Sequence, residues 1–225
     1  MSPAVGFFDA IKTGDLPRIE ALLEADPGLA SAKDENGVSA VLTAIYRNQR
    51  EIRDMLIAAG AELPVHDAAA AGRLDRLKEL VDKKPSLAKA LSPDGFPVIA
   101  LASVFGHFDV VRYLAEKGAD INAAATNGTG YNALTGAVTA GHTAIVRWLL
   151  ESGADPNYRY GPGYRPLLTA AANGHREIVR QLLEHGADPS VTSDDGKNAL
   201  QIAEERNHPH VVEYLRLVAS AATAR

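Results

Sequence analysis

Gly106-His107-Phe108-Asp109-Val110-Val111-Arg112-Tyr113-Leu114-Ala115-Glu116-Lys117-Gly118-Ala119-Asp120 is a phrase that this chain repeats. It returns as Gly141-His142, Ile145-Val146, Leu149-Leu150 and Gly153-Ala154-Asp155, and again as Gly174-His175, Ile178-Val179, Leu182-Leu183 and Gly186-Ala187-Asp188. A degenerate copy follows, with Asn207-His208, Val211-Val212 and Leu215 at the same offsets. Upstream, Asn48-Gln49 leads to Gly60-Ala61-Glu62, while Gly72 and Gly14 open units whose second halves end in Pro85 and Pro27. The seven anchors at 14, 48, 72, 106, 141, 174 and 207 are spaced by 34, 24, 34, 35, 33 and 33 residues. Self-similarity at a fixed period is the mark of a stacked repeat architecture. The short interval has its own meaning. A shift of 58 lays Gly14 on Gly72, Pro27 on Pro85, Leu29 on Leu87, Gly37 on Gly95, Asn48 on Gly106 and Gly60 on Gly118. Units three and four therefore read as a copy of units one and two, joined at Leu63-Pro64 without the hairpin that links other neighbours.

A period near 33 carrying Gly-His-x-x-Ile-Val-x-x-Leu-Leu-x-x-Gly-Ala-Asp closely resembles the ankyrin repeat, and the resemblance covers nearly the whole chain. It implies an all-α solenoid of helix-turn-helix units with short hairpin loops. On this reading the 225 residues form one domain of seven repeats, bounded near 1–33, 34–62, 63–92, 93–127, 128–160, 161–193 and 194–225. The family's Thr-Pro-Leu-His tetrapeptide is poorly kept. Leu63-Pro64-Val65-His66, Pro97-Val98-Ile99-Ala100, Asn132-Ala133-Leu134-Thr135, Arg165-Pro166-Leu167-Leu168 and Asn198-Ala199-Leu200-Gln201 stand in its place. The Thr-to-His hydrogen bonds that the resemblance implies are accordingly expected to be missing.

The residues themselves explain why each unit needs its neighbours. In unit six, Leu167, Leu168, Ala170 and Ala171 make a thin first helix, ended by Gly174 where a left-handed residue is required. Ile178, Val179, Leu182 and Leu183 then form one apolar stripe on the second helix. Gly186 closes that helix, and Asp188-Pro189 leads into a turn at Asp195-Gly196. One unit cannot cover its own stripe, so stability must come from interfaces between units, with the first and last as caps. Val5, Phe7 and Phe8 begin the first cap, and Leu215 to Val218 end the last.

Composition agrees and excludes several classes. Only 6% of residues are aromatic while 39 are alanine, so the interior must be built from thin, closely packed helices. With no cysteine there is no disulfide, thiolate metal site or cysteine nucleophile. A formal charge of −5 supplies no cationic footprint for nucleic acid or anionic membrane. The longest apolar run, 98–105, is too short to span a bilayer, and residues 1–15 lack a signal-peptide pattern, which favours a cytoplasmic protein. Metalloprotease, nucleophile-elbow, phosphate-loop and dinucleotide motifs are absent from the sequence; Gly128-Thr129-Gly130 has no third glycine at the right offset. The chain is expected to be a non-catalytic monomer without cofactor or metal.

Three ladders invite chemistry and read more simply as structure. His107, His142, His175 and His208 recur one per unit, but helices lie about 8–10 Å apart and zinc–nitrogen bonds are about 2.1 Å, so neighbours cannot share an ion. Asp120, Asp155 and Asp188 are loop residues suited to accept backbone N–H bonds. Arg112 with Glu116, Arg147 with Glu151 and Arg180 with Glu184 are spaced to pair on an outer helix face.

The local anomaly is aromatic. Tyr131, Tyr158, Tyr160 and Tyr164, with Arg159 and Arg165, crowd the two loops 123–130 and 157–163 that flank unit five. Loops held by a rigid scaffold carry binding residues, and tyrosine and arginine are enriched at interface hot spots. These six residues are the candidate binding site for another protein, with the hairpins and concave surface as the recognition face. Two alternatives accompany this reading: a regulatory subunit or inhibitor of an enzyme, and a small-ligand binder using a notch near His66 at the hairpin-less seam.

Overall fold

The computed structural model describes residues 3–223. Its α-helices come in pairs: α1 (Pro3–Thr13) with α2 (Leu16–Ala25), α3 (Ala40–Tyr46) with α4 (Arg50–Ala58), α5 (Val65–Ala70) with α6 (Leu74–Lys83) and α7 (Val98–Val104) with α8 (Phe108–Glu116). Then follow α9 (Ala133–Ala140) with α10 (Thr143–Glu151), α11 (Pro166–Ala172) with α12 (Arg176–Glu184), and α13 (Ala199–Glu205) with α14 (Pro209–Thr223). First helices pack in file from α1 to α13 and second helices from α6 to α14, each against its neighbour along the chain. The result is an all-α solenoid. Most helices here have only six to ten residues, too short to be stable alone in water; burial between units holds them.

Thin first helices make the close stacking possible. Ala68, Ala69, Ala102, Ala133, Ala137, Ala170, Ala171 and Ala203 are buried along them. At Gly136 a Cβ would lie 3.2 Å from Val104 Cβ, so α9 approaches α7 more closely than an alanine there would comfortably allow. Second helices supply the bulk through Val110, Val111, Leu114, Ile145, Val146, Leu149, Ile178, Val179 and Leu182, all buried as the stripe predicted.

The Gly-His pair has two linked duties. Gly72, Gly106, Gly141 and Gly174 adopt φ of +68°, +82°, +80° and +73°, the left-handed turn that ends a first helix. Each also lies beneath the imidazole of the following unit: a Cβ on Gly72 would sit 2.4 Å from His107, and one on Gly106 2.6 Å from His142. The ring then reaches back to the preceding first helix. His107 Nε2–H donates to the Ala70 carbonyl at 2.9 Å, His142 to Val104 at 3.0 Å and His208 to Ala172 at 2.9 Å. Because a carbonyl only accepts, the Nε2–H tautomer is required. The histidine ladder is thus an inter-unit clasp. Asparagine takes the left-handed position at Asn48 and Asn207. After Asn48 the next unit carries Arg73 in place of histidine, so no ring presses on its Cβ.

The loops follow the aspartate reading. Asp120, Asp155 and Asp188 accept from the backbone N–H two residues on, at 2.8–2.9 Å. Asn157 extends the ladder, donating to the Gly186 carbonyl at 2.9 Å and accepting from Asp188 N at 2.8 Å. Two expectations are revised. The missing Thr-to-His bonds are replaced in units five and seven by capping boxes, Asn132 with Thr135 and Asn198 with Gln201, in which side chain and backbone satisfy each other reciprocally. On the outer face Arg112 meets Glu116 and Arg180 meets Glu184, but Arg147 reaches Glu177 of the next unit at 3.5 Å instead of Glu151.

The duplicated halves coincide from the second helix onward, whereas α1 is longer than its counterpart α5. The shift of 58 carries α2 onto α6, α3 onto α7 and α4 onto α8 with identical bounds, and the 3-10 turn Pro27–Ser31 onto Pro85–Lys89. It also carries the bridge Lys33–Ser39 onto Leu91–Pro97. Between α4 and α5 the chain crosses in residues 59–64 with no such bridge. The gap this leaves opens in the second-helix layer, as a groove of about 710 Å³ lined by Ile57, Leu63, Leu74, Asp75 and Arg76. Its lining includes Leu63 of the seam but not His66. On the first-helix side Tyr46 of unit two stacks on Phe105 of unit four, ring centroids 6.1 Å apart. The first cap is well seated, since Phe7 and Phe8 are buried; at the far end Leu215 is buried and Leu217 exposed.

Candidate partner-binding surface

The hairpin loops form a second ladder beside the first helices. Thr126 N–H donates to the Gly95 carbonyl at 2.9 Å, and Gly161 N–H to Thr129 at 2.9 Å. Residues 160–164 close into a tight hairpin through two backbone bonds of 3.0 Å between Tyr160 and Tyr164. Each loop therefore leans on its neighbour, and aromatic side chains there are presented by a fixed framework, which lowers the entropy lost on binding.

Of the six sequence-predicted residues, the structure brings three tyrosines into direct contact. Tyr131 and Tyr160 meet edge-to-face at 5.2 Å, and Tyr160 and Tyr164 lie 5.8 Å apart. Tyr160 is the pivot and is only 4% exposed. Its hydroxyl shares a 2.5 Å hydrogen bond with Thr169 Oγ1, and burial raises its phenol above the ordinary value. Tyr160 thus supports the surface from beneath and has no open face for a partner. Tyr164, 54% exposed, is the prominent ring. Tyr158 is half-buried, its hydroxyl donating to the Gly130 carbonyl at 3.0 Å. Arg165 donates to the Asn157 carbonyl at 2.8 Å and pins the loop base, whereas Arg159 is exposed beside Asp194 at 3.5 Å.

The first helices add a part that sequence reading missed. Tyr46, Phe96, Ala100, Val104, Phe105, Tyr131 and Gly136 line an apolar groove of about 210 Å³. Tyr131 closes one end and Tyr46, 38% exposed, the other. Desolvation, then the Asp94 carboxylate, hold the Tyr46 phenol above its usual range. The signal was present: Tyr46 ends α3 and Phe105 directly follows α7, each within two residues of a left-handed residue, and the unit between them carries the small Ala70 and Ala71 at these places. It could not be read without knowing which face those turns present.

Below Tyr46 lies a polar cluster. Asp67 is wholly buried, its Oδ2 accepting a short hydrogen bond from Ser39 Oγ. Its Oδ1 has no hydrogen-bond donor and sits 3.4 Å from His66 Nε2. Burial pushes the Asp67 carboxyl up to about 7 and the His66 imidazole below its ordinary value. Both groups are therefore driven towards their neutral forms. Among the described residues no cluster of three or more histidine, cysteine, aspartate or glutamate side chains is arranged to hold a metal, and no helix is long and apolar enough to cross a membrane.

The geometry places thin first helices and a hairpin row on one side, with Gly-His turns and second helices behind. A family model for ankyrin repeats, three copies, matches residues 65–160 and again 158–222. The chain belongs to the ankyrin-repeat family. It is 30% identical over 125 residues to alpha-latrocrustotoxin-Lt1a of Latrodectus tredecimguttatus, covering 50% of this chain and 9% of the toxin. It is also 34% identical over 97 residues to the human DNA-binding protein RFXANK, covering 43% of this chain and 37% of that protein. The chain thus spans well under half the length of either relative. Ankyrin repeats generally serve as non-catalytic modules that mediate protein–protein interaction, and this chain has the tandem repeats and all-helical build of such a module.

Proposed function

We propose that the seven units act as one domain that binds another protein through its first-helix and hairpin face, as a monomer and without catalysing a reaction. The observation that carries this is the aromatic surface on that face, where Tyr46, Phe96, Phe105 and Tyr131 line one groove and Tyr164 stands beyond it, joined to Tyr131 through the buried Tyr160. Apolar surface of this kind, rimmed by polar groups, marks an interaction site when it is held by a rigid scaffold. Tyr131, Tyr158, Arg159, Tyr164 and Arg165 form one end of the site, with Tyr160 as its internal support; Tyr46, Phe96 and Phe105 form the other. The formal charge of −5 argues against carrying over DNA contact from the name of the human relative, because phosphate binding needs excess cations. It likewise argues against an anionic membrane as partner.

Affinity capture from the native host, with mass-spectrometric identification, tests the reading. Replacing Tyr131, Tyr158 and Tyr164 together by alanine, or Tyr46 and Phe105 together, should abolish recovery of the same protein while the far-ultraviolet helical signal persists. Undiminished recovery by both variants would refute the assigned face.

A further inference from the structure

We propose that the seam between unit two and unit three is a proton-linked joint: α1–α4 dock on α5 when the Asp67 carboxyl is neutral and loosen when it ionises. The inference rests first on the origin of Asp67. Under the shift of 58 it corresponds to Asp9, which is exposed on the first unit, where no described helix covers it. Likewise Arg18 corresponds to Arg76, and both stand where later units carry the buried Val110, Ile145 and Ile178. Unit three is therefore an internal copy of a cap. Solvent-facing residues of the cap were carried into the interior, where α3 covers them.

The joint bears the marks of that history. Asp67 is the one charged side chain that is fully buried among the described residues, and it lies at this interface. One of its oxygens is bonded to Ser39 on the far side of the seam, the other lacks a donor. Arg76, at a position that is apolar elsewhere, turns to the Leu63 carbonyl at 3.2 Å and lines the groove that opens between α4 and α6. A neutral carboxyl satisfies the cluster, because its O–H can point from Oδ1 to the unprotonated His66 Nε2 while Oδ2 still accepts from Ser39. An ionised carboxylate leaves a buried charge against a neutral imidazole.

The surrounding charges leave this balance in place. Lys33, preceding α3, lowers both groups; Asp94, in the hairpin before α7, raises His66; and Tyr46 on α3 is a neutral phenol. α7 has no ionisable side chain, and α6 turns Leu77 and Val81 inward. Undocked, Asp67 returns to an ordinary carboxylate, so docking takes up a proton. Between the ordinary value near 3.8 and about 7 the docking constant then falls with rising pH, and above 7 it is level. His66, lowered in the docked form, opposes this only below its free value of 6.5. Undocking also parts Tyr46 from Phe105, so on the function proposed above the same proton governs assembly of the aromatic groove.

Native-state hydrogen exchange of the free full-length chain, with times scaled for intrinsic rate, reads the joint without any partner. From pH 5.5 to pH 8 the opening of α3 and α4 should become several-fold more favourable: Asp67 contributes about thirty-fold, and His66, which takes up its proton more readily when undocked, offsets at most about ten-fold of it below pH 6.5. Peptides in α10 and α12 should not change. Asp67→Asn, which keeps an acceptor for Ser39, should abolish this rise and leave only the opposing dependence of His66. Equal protection of α3 and α4 at both pH values, or an unchanged pH dependence in D67N, overturns the proposal. Because partner capture is a separate measurement, a failed capture experiment leaves this one intact.

Discussion

Alanine placed at Gly106 should be far more damaging than alanine at Gly153, although the two backbones are alike. Both are left-handed, at φ +82° and +91°, and an L-residue there costs about 1–2 kcal/mol. At Gly153 a new Cβ meets nothing within 4 Å. At Gly106 it would lie 2.6 Å from His142 Cε1 and 2.9 Å from Nε2, so the imidazole must move. Displacing it breaks the 3.0 Å bond to the Val104 carbonyl, about 0.5–1.5 kcal/mol. The sum is about 1.5–3.5 kcal/mol for Gly106→Ala against about 1–2 for Gly153→Ala. Urea titration of each variant, followed by circular dichroism and analysed with the same m-value, gives the comparison. A double-mutant cycle then isolates the ring: in a His142→Ala background Gly106→Ala should cost no more than Gly153→Ala does alone. If Gly106→Ala costs the same with and without the imidazole, the clasp has no part in the glycine requirement.

Other consequences follow from the packing and the titrating groups. Leu114→Ala, fully buried between units, should lose about 2–5 kcal/mol in the same titration. Asn132→Ala removes the unit-five capping box and should cost about 0.5–2 kcal/mol. Desolvation lowers the His107 imidazole, so the folded chain takes its proton less readily than the unfolded one; its contribution is intact above pH 6.5 and lost as pH falls below it. His107→Gln should therefore flatten the acid limb of a melting-temperature profile, and an identical limb in the variant would show that this ring does not titrate against folding. Asp67 acts in the opposite sense: Asp67→Asn should raise the melting temperature more at pH 8 than at pH 5.

The repeat phrase around Gly106-His107 and the stripe Ile178-Val179-Leu182-Leu183 carried the fold by themselves, because each unit's apolar face matches only its neighbour and the left-handed turns admit few residues. The same local logic located the loop aspartates and the shift of 58. What the chain order could not convey was the outcome of contacts between units. Tyr160 reads like its neighbours along the sequence, yet the hairpins enclose it while Tyr164 is left standing out. Tyr46 and Phe105 are 59 positions apart and meet only in the folded stack. Asp67 looks like any helix carboxylate until α3 covers it. Burial and cross-unit distance are properties of the stack, and a one-dimensional pattern fixes the period of that stack without fixing which side chains it leaves in water.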